Sequence, residues 1–346
     1  MRRLPVFFVL DCSESMVGEK LKNMQDGLQL IVQELRSDPH ALETVWLSVI
    51  AFAGVAKTIA PLTEVPSFYP PKLPLGSGTS LGAALDVLMS AIDKSVVKTT
   101  TEQKGDWRPI VYLFTDGRPT DDPAATLARW NSRFGGKITL IVVTLGNEAD
   151  FALLRRLTEN VVKFEERQDG DFTKFIKWIT ASVLSQSKSV GEGKNADGLP
   201  ELDESVMELV KTAPPTVDES CVALVGRCQK TKRPYLIKYD REISEIKGEA
   251  LRIEVPLHQL AGCYPLDEDY FAWSDGRENE QKVNTASLVG APGCPHCGNA
   301  TAFAVCGCGK LMCLNGPGPA HCPWCGKDVV FGPSSGSDFD VARGRG

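Results

Sequence analysis

The chain has 346 residues, which at roughly 150 residues per domain predicts about two domains. Hydrophobic residues make up 42% and charged residues 24%, a balance that excludes a wholly disordered chain and a collagen-like repeat. The net charge of −6 argues against a nucleic-acid partner. No apolar run approaches the roughly 18 residues of a membrane span, so we expect no membrane partner either.

Residues 4–184 alternate between strand-like and helical patterns. Continuous apolar runs rich in β-branched residues are typical of strands covered on both faces of a parallel sheet, and steps of three and four between apolar residues indicate amphipathic helices. The predicted strands are Val6–Leu10, Val45–Phe52, Pro109–Phe114 and Ile138–Leu145, with an edge strand at Val55–Leu62, and the predicted helices begin near Leu21, Leu81, Asp122 and Phe172. We therefore predict a doubly wound α/β domain with a mostly parallel sheet.

The basic residues at the start of the chain precede an apolar run, as they do in a signal peptide. That run, Val6–Leu10, is only five residues long and has no small-residue cleavage site. We therefore interpret it as a buried strand and expect a cytoplasmic protein.

Oxygen-bearing side chains follow two of the predicted strands. Asp11-Cys12-Ser13-Glu14-Ser15 comes directly after the first strand, and Thr115-Asp116-Gly117 follows the Pro109–Phe114 strand. Between them, Gly76-Ser77-Gly78-Thr79-Ser80 leads into the second helix. Carboxylates and hydroxyls at one end of a sheet, without His or Cys, favour Mg²⁺ or Mn²⁺ over zinc. Glu14 is a candidate sixth ligand, but we favour its interpretation as a solvated loop residue.

These three segments, in this order, resemble the von Willebrand factor type A domain and its metal-ion-dependent adhesion site, over roughly residues 4–185. The resemblance implies that Ser13, Ser15 and Thr79 contact the ion directly or nearly so. It also implies that Asp11 and Asp116 bind largely through water. All five positions of the family pattern are intact.

Cysteines are concentrated near the end of the chain. Seven of the 11 lie between Cys294 and Cys325, and the first 220 residues contain only Cys12. Cys294-Pro-His-Cys297-Gly and Cys322-Pro-Trp-Cys325-Gly are two zinc knuckles, in which paired thiolates face one ion and the glycine permits a tight turn. We expect these four thiols to form one zinc site of the zinc-ribbon type.

A possible second zinc site comprises Cys306, Cys308, Cys313 and His321, although the sequence leaves the ligand pairing open. Cys221, Cys228 and Cys263 are irregularly spaced and are interpreted as core thiols. A redox interpretation of Cys-Pro-His-Cys is disfavoured, because the motif lies in Pro/Gly-rich sequence beside a second Cys-Pro-x-Cys rather than at the start of a helix.

An A domain joined to a Cys-rich terminus is similar to the bacterial TerY family, named for tellurite resistance. The segments Cys294–Gly298, Cys306–Lys310 and Cys322–Gly326 carry this resemblance. It implies that the protein works with a protein kinase and a metal-dependent Ser/Thr phosphatase in stress signalling.

The predicted organisation has five parts. They are an A domain at residues 1–186, a polar linker at 187–199, a small β-rich region at 200–290, a zinc module at 291–331 and a flexible tail at 332–346.

Two classes of function are compatible with these features. The favoured one is a non-catalytic module whose Mg²⁺ ion binds an Asp or Glu carboxylate of a partner protein. The alternative is a metal-dependent phosphohydrolase or another hydrolase. A hydrolase needs a placed general base and an open catalytic metal, but the chain has only four histidines and no His-Glu-x-x-His, and Gly76–Ser80 lacks the lysine of a phosphate-binding loop.

Overall fold

A computed structural model divides the chain into two units, Met1–Thr216 and Val217–Gly346. The structure describes residues 2–146, 149–166, 168, 170–191, 207–209, 221–247, 252–275, 282–332 and 338–343, with only the backbone of 188–191, 243–247 and 252–256.

The first unit is built on a seven-stranded sheet with the order β3-β2-β1-β4-β5-β6-β7. The five central strands are parallel, and the edge strands β3 and β7 are antiparallel to their neighbours. The strands are β1 (Leu4–Asp11), β2 (Val45–Phe52), β3 (Ala56–Glu64), β4 (Ile110–Thr115), β5 (Thr139–Leu145), β6 (Val161–Phe164) and β7 (Met207–Leu209). The helices are α1 (Glu19–Arg36), α2 (Pro39–Thr44), α3 (Leu81–Ser95), α4 (Ala124–Arg133), α5 (Phe151–Leu154) and α6 (Asp171–Gly191).

Helices cover both faces of this sheet. On one face, Phe7 and Val9 of β1 belong to the same buried cluster as Leu85 of α3 and Trp130 of α4. On the other face, neighbouring residues of β1 and β4 meet α1 and α6, where Phe8, Leu10, Met24, Phe114 and Ile176 line a common apolar region. Burial on both faces explains the continuous apolar runs of the central strands and confirms the doubly wound α/β fold.

Several boundaries differ from those expected. Helix α6 continues to Gly191, into the predicted linker, because Ser182 and Ser187 are buried on its inner side. Most of the linker, residues 192–199, lies outside the described residues. Strand β7 pairs with β6, so this part of the region 200–290 belongs to the first unit.

The second unit has a six-stranded sheet with the order β12-β10-β9-β8-β14-β13 and two small two-stranded sheets. One small sheet pairs β11 with β17, and the other pairs β15 with β16. The strands are β8 (Cys221–Arg227), β9 (Pro234–Lys247), β10 (Arg252–Pro265), β11 (Lys282–Asn284), β12 (Leu288–Val289), β13 (Thr301–Val305), β14 (Leu311–Leu314), β15 (Gly318–His321), β16 (Asp328–Phe331) and β17 (Asp340–Ala342). The described residues of this unit also form the α-helix α7 (Asp269–Trp273).

We expected a β-rich region and a separate zinc module, but the structure joins the two in one unit. Strand β14, from the Cys-rich segment, pairs with β8, and the two segments share one buried core that includes Val222, Tyr235 and Leu311. The tail is also partly ordered, because β17 pairs with β11 and Val341 is buried in that core.

Among the described residues, no helix combines the length and the hydropathy that crossing a membrane would require.

Candidate metal centres

Three loops of the first unit meet beyond the carboxyl ends of β1 and β4, which are neighbouring parallel strands. Ser13 forms an isolated parallel bridge with Gly76, and the Gly76 amide donates to the carbonyl of Cys12 at 3.0 Å. The Thr79 amide donates to Thr120 Oγ1 at 2.8 Å, and the Thr120 amide donates to the Thr79 carbonyl at 2.9 Å. These contacts therefore fix the Ser13 and Gly76–Ser80 segments against each other and join Thr79 to Thr120, which follows the Thr115–Gly117 segment.

The structure brings the five expected magnesium ligands together. Ser13 Oγ lies 3.0 Å from Ser15 Oγ, which donates to Asp116 Oδ1 at 2.6 Å. A Cβ atom added at Gly117 would lie 3.8 Å from both Ser15 Oγ and Thr79 Oγ1, so the Thr79 hydroxyl faces the same space. We call this group, Asp11, Ser13, Ser15, Thr79 and Asp116, the oxygen site.

The two carboxylates of the oxygen site are almost completely buried. Asp11 Oδ1 accepts the Ser13 amide at 2.9 Å, and Asp11 Oδ2 accepts the Thr115 hydroxyl at 2.7 Å. Burial, and then the negative charge of Asp116, raise the pKa of Asp11 to about 7, although these hydrogen bonds oppose the shift. Two confined carboxylates with hydroxyls around them make a donor set that fits a hard divalent cation.

Two further residues beside this site were not identified correctly from the sequence. Lys20, in the first turn of α1, donates to Asp116 Oδ2 at 2.5 Å, a contact that no motif signalled. Glu14 is fully buried and accepts the Ser77 hydroxyl at 3.0 Å, so its interpretation as a solvated residue is wrong. The Ser13–Gly76 bridge explains the burial, because it closes the Ser77 loop over the short helical turn containing Glu14.

The raised pKa of Asp11 predicts opposite pH effects on the metal-free and metal-bound domains. A carboxyl whose pKa rises from about 4 to about 7 on folding stabilises the fold at low pH, so stability in EDTA should fall between pH 4 and 7. Metal affinity should rise by up to about tenfold per pH unit below pH 7 and level off above it, because the ion displaces one proton from Asp11. Thermal unfolding with and without Mg²⁺ checks both; an affinity independent of pH from 5 to 8 would contradict this role of Asp11.

The ammonium of Lys20 competes with a metal for Asp116. We expect Lys20→Met to raise Mg²⁺ affinity about fivefold, which corresponds to about 1 kcal/mol, because solvent screens the half-exposed ammonium although Asp116 is buried. Lys22→Met is the matched control, since Lys22 contacts only Asp26 among the ion pairs found in the described chain and is more exposed. Unchanged or weaker binding in Lys20→Met would show that the lysine does not oppose the metal.

The second unit contains two groups of four thiols, each with its sulfur atoms within 4.8 Å of one another. The inner cluster is Cys228, Cys294, Cys297 and Cys313, and the outer cluster is Cys306, Cys308, Cys322 and Cys325. Four thiolates at this spacing fit a tetrahedral zinc ion. The structure thus provides for two zinc ions.

The expected pairing of the zinc ligands is wrong. The two knuckles do not share an ion: Cys294 and Cys297 join Cys228 and Cys313, whereas Cys322 and Cys325 join Cys306 and Cys308. The pairing of β14 with β8 explains this, because it brings Cys313 to Cys228, and the Gln229 amide donates to Cys313 Sγ at 3.2 Å.

His321 and one of the three thiols interpreted as core thiols, Cys228, also need correction. His321 lies outside both clusters, and its Nδ1 is 2.9 Å from Asp328 Oδ1 on the exposed side of the β15–β16 pair. Cys228 is a member of the inner cluster rather than a core thiol. Cys221 and Cys263 belong to neither cluster.

The β13–β14 hairpin separates the two clusters. Side chains of β14 alternate, so that Leu311 and Cys313 face the core of the inner cluster while Met312 and Leu314 face the core of the outer cluster. Each cluster therefore fixes one face of the same hairpin.

One thiol in each cluster is predisposed to the thiolate form that binds zinc. Burial raises the pKa of Cys228, but hydrogen bonds from Thr231, Cys297 and the Lys230 amide outweigh it and lower the pKa to about 6. Burial likewise opposes ionisation of Cys322, while the Cys325 and Trp324 amides lower its pKa to about 7. Amide donors turned towards sulfur are what a zinc knuckle supplies to its metal.

Comparison with known families agrees with the division into two units. Residues 6–175 match the von Willebrand factor type A domain, and residues 218–346 match the TerY-C metal binding domain. Among curated proteins, human inter-alpha-trypsin inhibitor heavy chain H6 is 25% identical over 165 residues, which cover 44% of this chain. That region spans only 12% of the human protein.

Solved structures show similarity at low sequence identity. Proximal thread matrix protein 1 from the mussel byssus is 16% identical, with a TM-score of 0.38 over 53% of this chain and 48% of that chain. Another structure of that protein is described as having a zinc occupied MIDAS motif. A von Willebrand factor type A protein from Catenulispora acidiphila is 15% identical, with a TM-score of 0.38 over 82% of this chain and 60% of that chain.

Proposed function

Because the chain has the TerY-like arrangement of a von Willebrand factor type A domain followed by a TerY-C metal binding domain, we propose that it is a non-catalytic scaffold whose oxygen site binds a partner protein through Mg²⁺ or Mn²⁺. The two domains support a metal-dependent interaction module in general terms. The bridging ion and the carboxylate it binds belong to the proposal.

The observation that carries this function is the composition of the oxygen site. Its donors are two carboxylates and three hydroxyls. The two negative charges of the carboxylates therefore balance the two positive charges of a divalent ion and leave no excess. An ion without excess negative ligands keeps its affinity for another anionic oxygen. An Asp or Glu side chain of a partner protein would supply that oxygen and complete the octahedron.

The zinc clusters support a structural role for the second unit. Four thiolates leave zinc without an open position, which a zinc hydrolase needs for its water. None of the 11 cysteines forms a disulfide in the structure, which suits a reducing compartment, and we propose that the protein is cytoplasmic. The proposed partners are a protein kinase and a metal-dependent Ser/Thr phosphatase of a bacterial stress-signalling system linked to tellurite resistance.

Affinity capture from a lysate of the native host tests the bridge. The wild-type chain and Asp11→Asn are compared in Mg²⁺ and in EDTA followed by restored zinc, so that the thiol clusters stay loaded throughout. Asp26→Asn is the matched control, because Asp26 is an exposed carboxylate of α1 outside the oxygen site.

We expect a partner retained by the wild type and Asp26→Asn in Mg²⁺ but lost in EDTA and in Asp11→Asn. Repeating the binding with that purified partner, after replacing its acidic residues one at a time, should identify the bridging carboxylate. If the partner were captured equally well in Mg²⁺ and in EDTA, and equally well by wild type and Asp11→Asn, the metal bridge would be overturned. Binding would then lie elsewhere on the chain.

A further inference from the structure

The two thiol clusters differ in their exposure to solvent. In the inner cluster three cysteines are buried and Cys297 is half-buried. In the outer cluster Cys306 and Cys322 are buried, but Cys308 and Cys325 are exposed. Oxidants in solution therefore reach two sulfur atoms of the outer cluster more easily than those of the inner cluster.

Backbone amides donate to sulfur in both clusters, but the inner cluster also has a buried side-chain donor, Asn299. Cys313 Sγ accepts from the Gln229 amide at 3.2 Å and from Asn299 Nδ2 at 3.4 Å, and Cys228 Sγ accepts from the Thr231 amide at 3.4 Å. Asn299 is itself almost completely buried. Donors of this kind withdraw electron density from sulfur and shield it, which lowers its reactivity towards oxidants.

The outer thiols are close enough for direct bond formation. Cys306 Sγ lies 3.9 Å from Cys325 Sγ, Cys308 Sγ lies 3.9 Å from Cys322 Sγ, and all four sulfurs are within 4.8 Å. Both pairs of ligands lie in short glycine-containing turns, Cys306–Gly309 and Cys322–Gly326, rather than inside strands. A small movement of either turn can thus bring two sulfurs into contact.

We propose that the outer cluster is an oxidation-sensitive zinc site, in which Cys308 and Cys325 form a disulfide with a two-electron oxidant such as hydrogen peroxide while the inner cluster keeps its zinc. One exposed thiolate attacks a peroxide oxygen, and the O–O bond breaks to give a sulfenic acid and hydroxide. The second thiolate attacks that sulfur, the S–S bond forms and another hydroxide leaves.

This reaction consumes two thiolates, one peroxide and two protons, and gives one disulfide and two waters. The two electrons pass from sulfur to the O–O bond. Only Cys306 and Cys322 would then remain to hold a zinc ion at the outer cluster, too few to retain it. Reduction by a thiol and re-addition of zinc reverse the change.

Loss of the outer ion would alter the surface around it. Its core is small, with Met312, Leu314, Ala320 and the two buried cysteines packed by Trp324. The Trp324 indole donates to the Leu311 carbonyl and lies 4.7 Å below the Arg227 guanidinium. Oxidation would detach the β15–β16 pair from this core and break the contact between Trp324 and Arg227, whereas the six-stranded sheet of the second unit would remain.

Hydrogen peroxide treatment of the full chain loaded with two zinc ions tests the proposal. Zinc release is followed with a chromogenic chelator, and disulfides are mapped by mass spectrometry as the first ion leaves. We expect one equivalent to be released about tenfold or more faster than the second, with the first disulfide joining Cys308 to Cys325. Thiol reductant and zinc should then restore two bound ions.

The control is a Cys12→Ser, Cys221→Ser, Cys263→Ser variant, which removes every thiol outside the two clusters. It should release its first zinc at the wild-type rate. Equal release of both ions, a first disulfide other than Cys308–Cys325, no release, or loss of the fast phase in this variant would each overturn the proposal.

Discussion

Cys228→Ser should lose one zinc ion and with it the tertiary structure of the second unit. Cys228 links β8 to the Cys294–Cys297 knuckle and to Cys313 of β14, so the inner ion joins three separate segments. Structural zinc contributes about 10–16 kcal/mol of apparent binding free energy at pH 7, which is as large as the total stability of a typical domain, about 5–15 kcal/mol. Metal analysis and near-ultraviolet circular dichroism measure the two losses.

Cys263→Ser provides the matched comparison for that variant. Cys263 lies on β10, packs against the same core and is half-buried, but it belongs to neither cluster. We expect it to keep two zinc ions and to cost no more than about 1 kcal/mol. If Cys228→Ser also kept two zinc ions and a folded second unit, the inner cluster would not be a zinc site.

Asp11→Asn should lower Mn²⁺ affinity at the oxygen site by about 100-fold or more while leaving the metal-free domain at least as stable. The amide can still accept the Ser13 amide proton, and the Thr115 hydroxyl can turn to accept from it, so both contacts of Asp11 survive. The substitution also removes a buried negative charge beside Asp116, which is unfavourable without a cation.

Titration of the zinc-loaded chain, freed of Mg²⁺, with Mn²⁺ at pH 7.5, followed by electron paramagnetic resonance, measures that affinity. Thermal unfolding in EDTA reports the stability. Asp26→Asn should match the wild type in both. A metal affinity that Asp11→Asn leaves intact would exclude Asp11 from the site, whereas a lower unfolding temperature in EDTA would show that the variant acts through the fold.

The central sheet and the positions of the oxygen-site residues could be predicted because both depend on local patterns. Strands covered on two faces appear as continuous apolar runs, and the residues following them must meet at one edge of a parallel sheet. The contact of Lys20 with Asp116 could not be predicted because it depends on the direction in which α1 runs from the site. The spacing of residues within a motif does not encode that direction. The burial of Glu14 could not be predicted because it depends on the distant Ser77 loop.

The ligand pairing in the zinc clusters, by contrast, could not be predicted from local sequence patterns. Each knuckle was recognisable from its Cys-Pro-x-Cys-Gly sequence, but its partners are set by strand pairing between distant segments. Cys228 had no knuckle of its own, and only the β8–β14 contact makes it a ligand. The short strands β7 and β17 were missed for a related reason: three residues carry no periodicity, and pairing with β6 and β11 alone defines them.

The most direct measurement is the number of exchangeable waters on a Mn²⁺ ion bound at the oxygen site, obtained from water-proton relaxation of the zinc-loaded chain. We expect at least one rapidly exchanging water, which is lost when the captured partner binds and retained when that partner lacks its bridging carboxylate. An ion with no exchangeable water, or a partner that binds without displacing one, would contradict a metal bridge between the two proteins.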